Sequence, residues 1–137
     1  MRYQYIDHTS DLGVEIYGKD LKELFANAMF AIFDNITDLS KVEIKQTTVI
    51  KLASQSIEDL FMDWLRELVF LFATNGFIGK DIEALNITDN SLIAKVAGEK
   101  FDRQRHIIKI EIKTPTYHMF RIEKLGDGYK ATVIFDV

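Results

Sequence analysis

Apolar residues in this chain recur with two distinct periods. Leu21, Leu24, Phe25, Ala28, Ile32 and Ile36 fall on one stripe of a 3.6-residue repeat. Asp20, with Glu23 three residues later, forms a capping pair at its start, so a helix is expected over 20–37. Ile57, Leu60, Phe61, Trp64, Leu65, Leu68 and Phe72 make a second stripe. Ser56 caps it and Gly76 stops it, which predicts a helix over 56–75. Elsewhere the alternation is of period two. Leu12, Val14 and Ile16 share a face. So do Ile108, Ile110 and Ile112, with Lys109, Glu111 and Lys113 opposite, and so do Tyr129, Ala131, Val133 and Phe135. Gly126-Asp127-Gly128 is a hairpin turn signal before the final strand, and 42–52, 85–89 and 92–97 are further strand candidates.

Strands with one apolar and one polar face predict an antiparallel sheet covered on one side. The expected fold class is α+β: two layers, a mainly antiparallel β-sheet with two amphipathic helices packed on one face. No repeat and no Ser/Gly/Pro-rich linker interrupts the chain, so residues 1–137 read as a single domain. Ten Phe, five Tyr and one Trp supply a core without staples.

Composition removes several chemistries. There is no Cys, so disulfides, thiolate metal sites and cysteine nucleophiles are excluded. The N-terminus has no apolar run of a signal peptide, and the most hydrophobic stretch, Leu60 to Ala73, carries Asp63, Arg66 and Glu67. A cytoplasmic protein without a membrane partner is expected. The formal net charge is −4, and Lys and Arg are scattered, so tight RNA binding by the chain alone is not expected. No glycine-rich phosphate loop, no Gly-x-Ser-x-Gly elbow and no zinc-type histidine spacing occurs.

Three segments concentrate polar chemistry. Asp7-His8-Thr9-Ser10-Asp11 gathers two carboxylates, two hydroxyls and an imidazole at a strand entry; by itself the segment reads first as a turn whose side chains bond their own backbone. At the other end the chain stops inside a strand, at Phe135-Asp136-Val137. The terminal carboxylate then stands beside the Asp136 side chain, and if Asp11 lies near, three carboxylates converge and repel unless a cation neutralises them. Oxygen ligands alone suit a hard cation such as Ca²⁺ or Mg²⁺. The alternative is that both aspartates are solvated edge residues. The third segment is Glu111-Ile112-Lys113-Thr114-Pro115, where Glu111 and Lys113 form an exposed pair on a strand face and Pro115 should interrupt the ladder and mark a bend.

These segments together resemble the archease family. His8-Thr9-Ser10-Asp11 is similar to its His-Thr-Ala-Asp signature, and the likeness continues through Gly18, Leu21-Lys22-Glu23-Leu24-Phe25, Thr37-Asp38 and Asp63-Trp64-Leu65. It extends over Gly98-Glu99, Glu111-Ile112-Lys113, Thr116-Tyr117-His118 and the terminal Val133-Ile134-Phe135-Asp136-Val137, in order along the whole chain. Ser10 departs from the usual Ala, as does Thr114 after the lysine. The resemblance implies an accessory factor, itself not an enzyme, that activates an RtcB-type RNA ligase. It would promote GTP-dependent guanylylation and multiple turnover in tRNA splicing and RNA repair. It also implies a metal site made of Asp11, Asp136 and the carboxylate of Val137, holding a divalent cation, Ca²⁺ first, with Mg²⁺ or Mn²⁺ as alternatives. Asp38 and Lys113 belong by the same resemblance to a candidate functional surface. A metal-dependent phosphate-ester hydrolase and a general chaperone or binding module are the competing readings.

Overall fold

The final hairpin sets the frame. Leu125 pairs with Gly128 across a turn in which Gly126 takes φ 57°, and the two strands run back from it as β6 (Thr114–Leu125) and β7 (Gly128–Asp136). The computed structural model describes residues 1–7 and 10–137. β7 pairs on its other side with β2 (Leu12–Gly18), and β2 with β1 (Tyr3–Ile6), giving a four-stranded antiparallel sheet in the order β1-β2-β7-β6. A separate three-stranded antiparallel sheet has the order β3-β5-β4, from β3 (Gln46–Ala53), β4 (Phe77–Ile87) and β5 (Ser91–Lys100). The α+β class and the antiparallel pairing thus follow the sequence pattern, with the strands divided between two sheets.

Both helices form where their stripes predict, α1 at Leu21–Ile36 and α2 at Ile57–Asn75. Asp20 Oδ1 accepts from the Glu23 N–H at 2.8 Å, and Glu23 reaches back to the Lys19 N–H at 3.0 Å. Ser56 caps α2 through the Asp59 N–H at 3.1 Å, and Gly76 ends it in the left-handed region at φ 71°. Each helix packs on strands of both sheets. That explains why α1 buries Met29, Ala31 and Phe33 beyond its predicted stripe: one side meets β2 and β7, another meets β4. Trp64 joins the helices, donating from Nε1 to the Phe25 carbonyl at 2.9 Å while Phe25 meets Phe61 edge-on at 5.0 Å. Among the described residues no helix is long and apolar enough to cross a membrane.

Two expectations need correction. Residues 106–113 are not a strand, although Ile108, Ile110 and Ile112 alternate. Their backbone bonds go to a helix end instead: the Lys109 N–H donates to Ile36 O at 2.7 Å, and Thr37 Oγ1 donates to Ile107 O at 2.6 Å. The orphan Ile36 carbonyl thereby gains a donor and the Ile107 carbonyl gains the Thr37 hydroxyl, and these bonds outweigh the alternation. Glu111 and Lys113 accordingly do not share a strand face. Nor does Pro115 break the ladder. It pairs with Phe135 inside β6, which is an edge strand and tolerates a missing N–H. The irregularity begins two residues later, where Tyr117 to Phe120 lie opposite Val133 alone and Met119 takes φ 57°.

Candidate metal centre

Three strand ends meet at one end of the four-stranded sheet. The β2–β7 register puts Leu12 opposite Phe135, so Asp11 and Asp136 each stand one residue beyond that pair. Thr114 at the start of β6 pairs with Asp136, and the Lys113 N–H donates to the Asp136 carbonyl at 2.9 Å. β7 is buried through Phe135 and Asp136 is the first exposed residue at its end; Asp11 is half-buried and follows Ser10, held at φ 69°. His8 and Thr9 lie outside the described residues.

The end of α1 arrives at the same level. Tyr5 pairs with Val14, and its hydroxyl donates to Asn35 Oδ1 at 2.7 Å; the Tyr3 hydroxyl donates to Asp34 at 2.6 Å. Asp38 follows α1 by two residues and caps a 3-10 turn at Leu39–Lys41, accepting from the Ser40 N–H at 3.0 Å and its hydroxyl at 2.7 Å. Those bonds, with the charges of Lys41 and Lys109, hold its carboxyl below the usual aspartate range. The Asp38 carboxylate therefore has a structural task that the sequence did not reveal. Lys113 lines a groove with Asp63 and Glu67, and its backbone ties that groove to Asp136.

The donors expected from the resemblance, the Asp11 and Asp136 side chains and the Val137 carboxylate, are all oxygen, and Val137 is 40% exposed. Among the described residues no three His, Cys, Asp or Glu side chains gather for one ion. A cation at this end would draw on the terminal carboxylate, backbone carbonyls and water as well as the aspartates. Such a set fits a hard cation with mixed ligands and does not fit zinc.

A buried charged cluster behind this end was not legible in the sequence. Glu99, 2% exposed, accepts from the Glu43 N–H at 2.6 Å and from the Arg105 guanidinium through both carboxylate oxygens. The Asp102 N–H donates to His106 Nδ1 at 2.9 Å, so His106 carries its proton on Nε2 and presents it to Glu99 and to the Lys41 carbonyl, each at 3.2 Å. The Arg105 hydrogen bonds first, then the Glu43 N–H, the Arg105 charge and His106, hold the Glu99 carboxyl down at about 2, against a smaller opposing effect of burial. The cluster clamps the 102–106 turn onto Lys41 and Glu43, and the chain runs from there to Lys109 and Lys113. The signal available in sequence was a lone Gly98-Glu99 with an Arg-His pair, which carries no spacing rule.

The fold and this end define a small α+β protein whose polar chemistry at this end, among the described residues, is carboxylate and lysine. Comparison with known proteins gives the family. Residues 3–137 match the archease protein family (MTH1598/TM1083), and the chain belongs to it. It is 37% identical to protein archease of Archaeoglobus fulgidus, covering 100% of each chain, and 36% identical to that of Methanosarcina barkeri, over 99% of this chain and 96% of the relative. The solution structure of protein 1598 of Methanobacterium thermoautotrophicum superposes with TM-score 0.84 at 31% identity, covering 99% of each chain.

Proposed function

We propose that this archease is a cytoplasmic accessory factor, not an enzyme, that binds a divalent cation and activates an RtcB-type RNA ligase in tRNA splicing and RNA repair. The reading is supported by family membership together with one observation, the register that sets Leu12 opposite Phe135 and so brings Asp11 and Asp136 to one edge. Asp11, Asp136 and the Val137 carboxylate would hold the cation, Ca²⁺ before Mg²⁺ or Mn²⁺. When bound, it supplies positive charge where phosphate oxygens need it during guanylylation. Lys113, fixed through its backbone to Asp136, offers an ammonium group beside that edge. Asp38 keeps the Leu39–Lys41 turn closed and so shapes the same end. The net charge of −4 leaves RNA to the ligase and favours docking on a basic surface.

The deciding experiment follows covalent GMP transfer to the ligase over several turnovers, with and without this protein. Stimulation is expected with the natural chain and is lost with Asp11→Ala, whose circular dichroism spectrum should still show the natural fold. Normal stimulation by Asp11→Ala would reduce Asp11 to a turn residue. Turnover of phosphate esters by the isolated protein with Mg²⁺ or Mn²⁺ would replace the proposal with a hydrolase.

A further inference from the structure

We propose that the groove between the outer side of α2 and the ends of β3 and β6 is a docking surface for a short protein segment carrying apolar side chains flanked by basic ones. The proposal goes beyond the ligase reading and does not depend on it. The groove has a volume of about 560 Å³ and an apolar floor of Leu52, Val69, Ala73 and Pro115. Phe70 lines it with its ring 58% exposed, although a Phe gains little by facing water from a helix that already buries Leu68 and Val69. The groove's Arg66 guanidinium lies 5.1 Å from the ring centre of Tyr117, which is exposed, as is Met119 two residues further along β6. Phe, Tyr, Met and Arg are the residue types enriched in interface cores, where Lys, Glu and Asp are depleted.

The backbone supports the same use. Tyr117 and Met119 are presented by the bulge opposite Val133, with Met119 in the left-handed region, a device that re-aims side chains at a cost in strain. That bulge and Pro115 also spoil the outer edge of β6 for pairing with another strand. The occupant is therefore held by side chains in the groove rather than by a strand ladder.

Charge selects the kind of partner. Asp59, Asp63 and Glu67 follow one another at four-residue spacing along α2, so their carboxylates form a single stripe on that rim. Asp63 is occupied by Arg66 at 3.3 Å and by the Ser54 hydroxyl at 2.6 Å, so the acidic excess is confined to the α2 side, at Glu67 and, just beyond the groove, Asp59, with Lys113 opposite. An acidic rim repels phosphates, which disfavours nucleic acid, and complements Lys or Arg on a peptide. Lys113 stands on the facing rim and sets the order along the occupant: cations over α2, an acceptor over Lys113.

The test uses the whole protein, amide spectra in solution and two blocked heptapeptides with a central Leu-Leu pair, one flanked by Lys and one by Glu. The Lys peptide is expected to shift the amides of Leu52, Phe70, Ala73 and Thr114, and the Glu peptide to bind about fivefold more weakly, the equivalent of one exposed ion pair. Phe70→Lys, at an exposed position that the core does not use, should abolish the shifts and leave the rest of the spectrum unchanged. Shifts that map elsewhere, equal binding of the two peptides, or unchanged binding by Phe70→Lys would overturn the proposal. So would the same amides responding to an RNA dodecamer, or to protein concentration alone, which would make the occupant a nucleic acid or a second copy.

Discussion

Replacing Glu99 by Gln keeps the shape of the buried cluster and removes its charge. Glu99 Oε2 accepts from the Glu43 N–H, Arg105 and His106, while Oε1 faces Arg105 and, at 3.6 Å, Lys45. A glutamine oxygen can serve the first set, but its amide then points donors at the Arg105 and Lys45 donors. The loss is one or two charge-assisted bonds, about 1.5–3 kcal/mol when buried. Arg105 is a third exposed and can turn to water, which brings the expectation to about 2 kcal/mol. The titration argument agrees. Glu99 is lowered from 4.5 to about 2, a shift that integrates to a ceiling of about 3 kcal/mol before screening is discounted.

The sign follows from a depressed carboxyl. Its contribution is complete above the unfolded value of 4.5 and fades as pH falls through about 2. Urea unfolding at pH 7, 4 and 3 is the assay. At pH 7 the variant should unfold about 2 kcal/mol more easily, near 7 °C in midpoint temperature, with an unchanged denaturant slope. The gap between the natural chain and the variant should narrow at pH 4 and narrow further at pH 3. Amide exchange at His106 and Lys109 should quicken more than in the core of α1, since the cluster clamps that segment. A gap that stays constant from pH 7 to pH 3, or widens on acidification, would refute the assignment of the charge to this cluster.

Adding two residues after Val137 converts a terminal carboxylate into a neutral amide carbonyl; Ca²⁺ affinity by calorimetry should fall about tenfold or more while the metal-free midpoint stays unchanged. Gly98→Ala would put a Cβ 1.8 Å from the Ile78 carbonyl oxygen, and since a strand backbone cannot yield there, a loss above about 3 kcal/mol or failure to fold is expected on expression and thermal melting. Trp64→Phe removes the bond to the Phe25 carbonyl and leaves a cavity between the helices, which should cost about 3 kcal/mol in urea unfolding. Asp38→Ala removes the cap of the Leu39–Lys41 turn and should quicken amide exchange at Ser40 and Lys41 while leaving the core of α1 unchanged.

What the sequence showed and what it hid have different physical origins. Both helices were legible because their signals are local: a stripe at helical period, a cap at Asp20 or Ser56 and a stop at Gly76. The final hairpin was legible for the same reason. The 106–113 segment was misread because alternation reports which side chains are apolar and not where backbone groups find partners; here the partner is the end of α1. The irregularity in β6 was assigned to Pro115 because proline is the visible breaker, whereas the fold needed extra residues opposite Val133, which no residue type announces. The wide burial of α1 was hidden because a stripe identifies one packing face and the division into two sheets supplies another.

The candidate site divides along the same line. Asp11 and Asp136 lie 125 positions apart in the numbering, and only the resemblance joined them before the fold was known. The β2–β7 register then provides a physical reason: paired strands bring the start of one to the end of the other, so the residues flanking the Leu12–Phe135 pair become neighbours whatever their separation in sequence. A carboxylate pair so placed is a consequence of topology, and β7 can deliver it only if its register is fixed. Register is held by Val14, Ile16, Ala131, Val133 and Phe135, all buried, because a one-residue slip would exchange them with the Thr132 and Ile134 face and break the packing of both. The apolar core of the sheet and the polar chemistry at its end are therefore not independent. A slip that displaced Val133 would also carry Asp136 away from the edge where Asp11 stands.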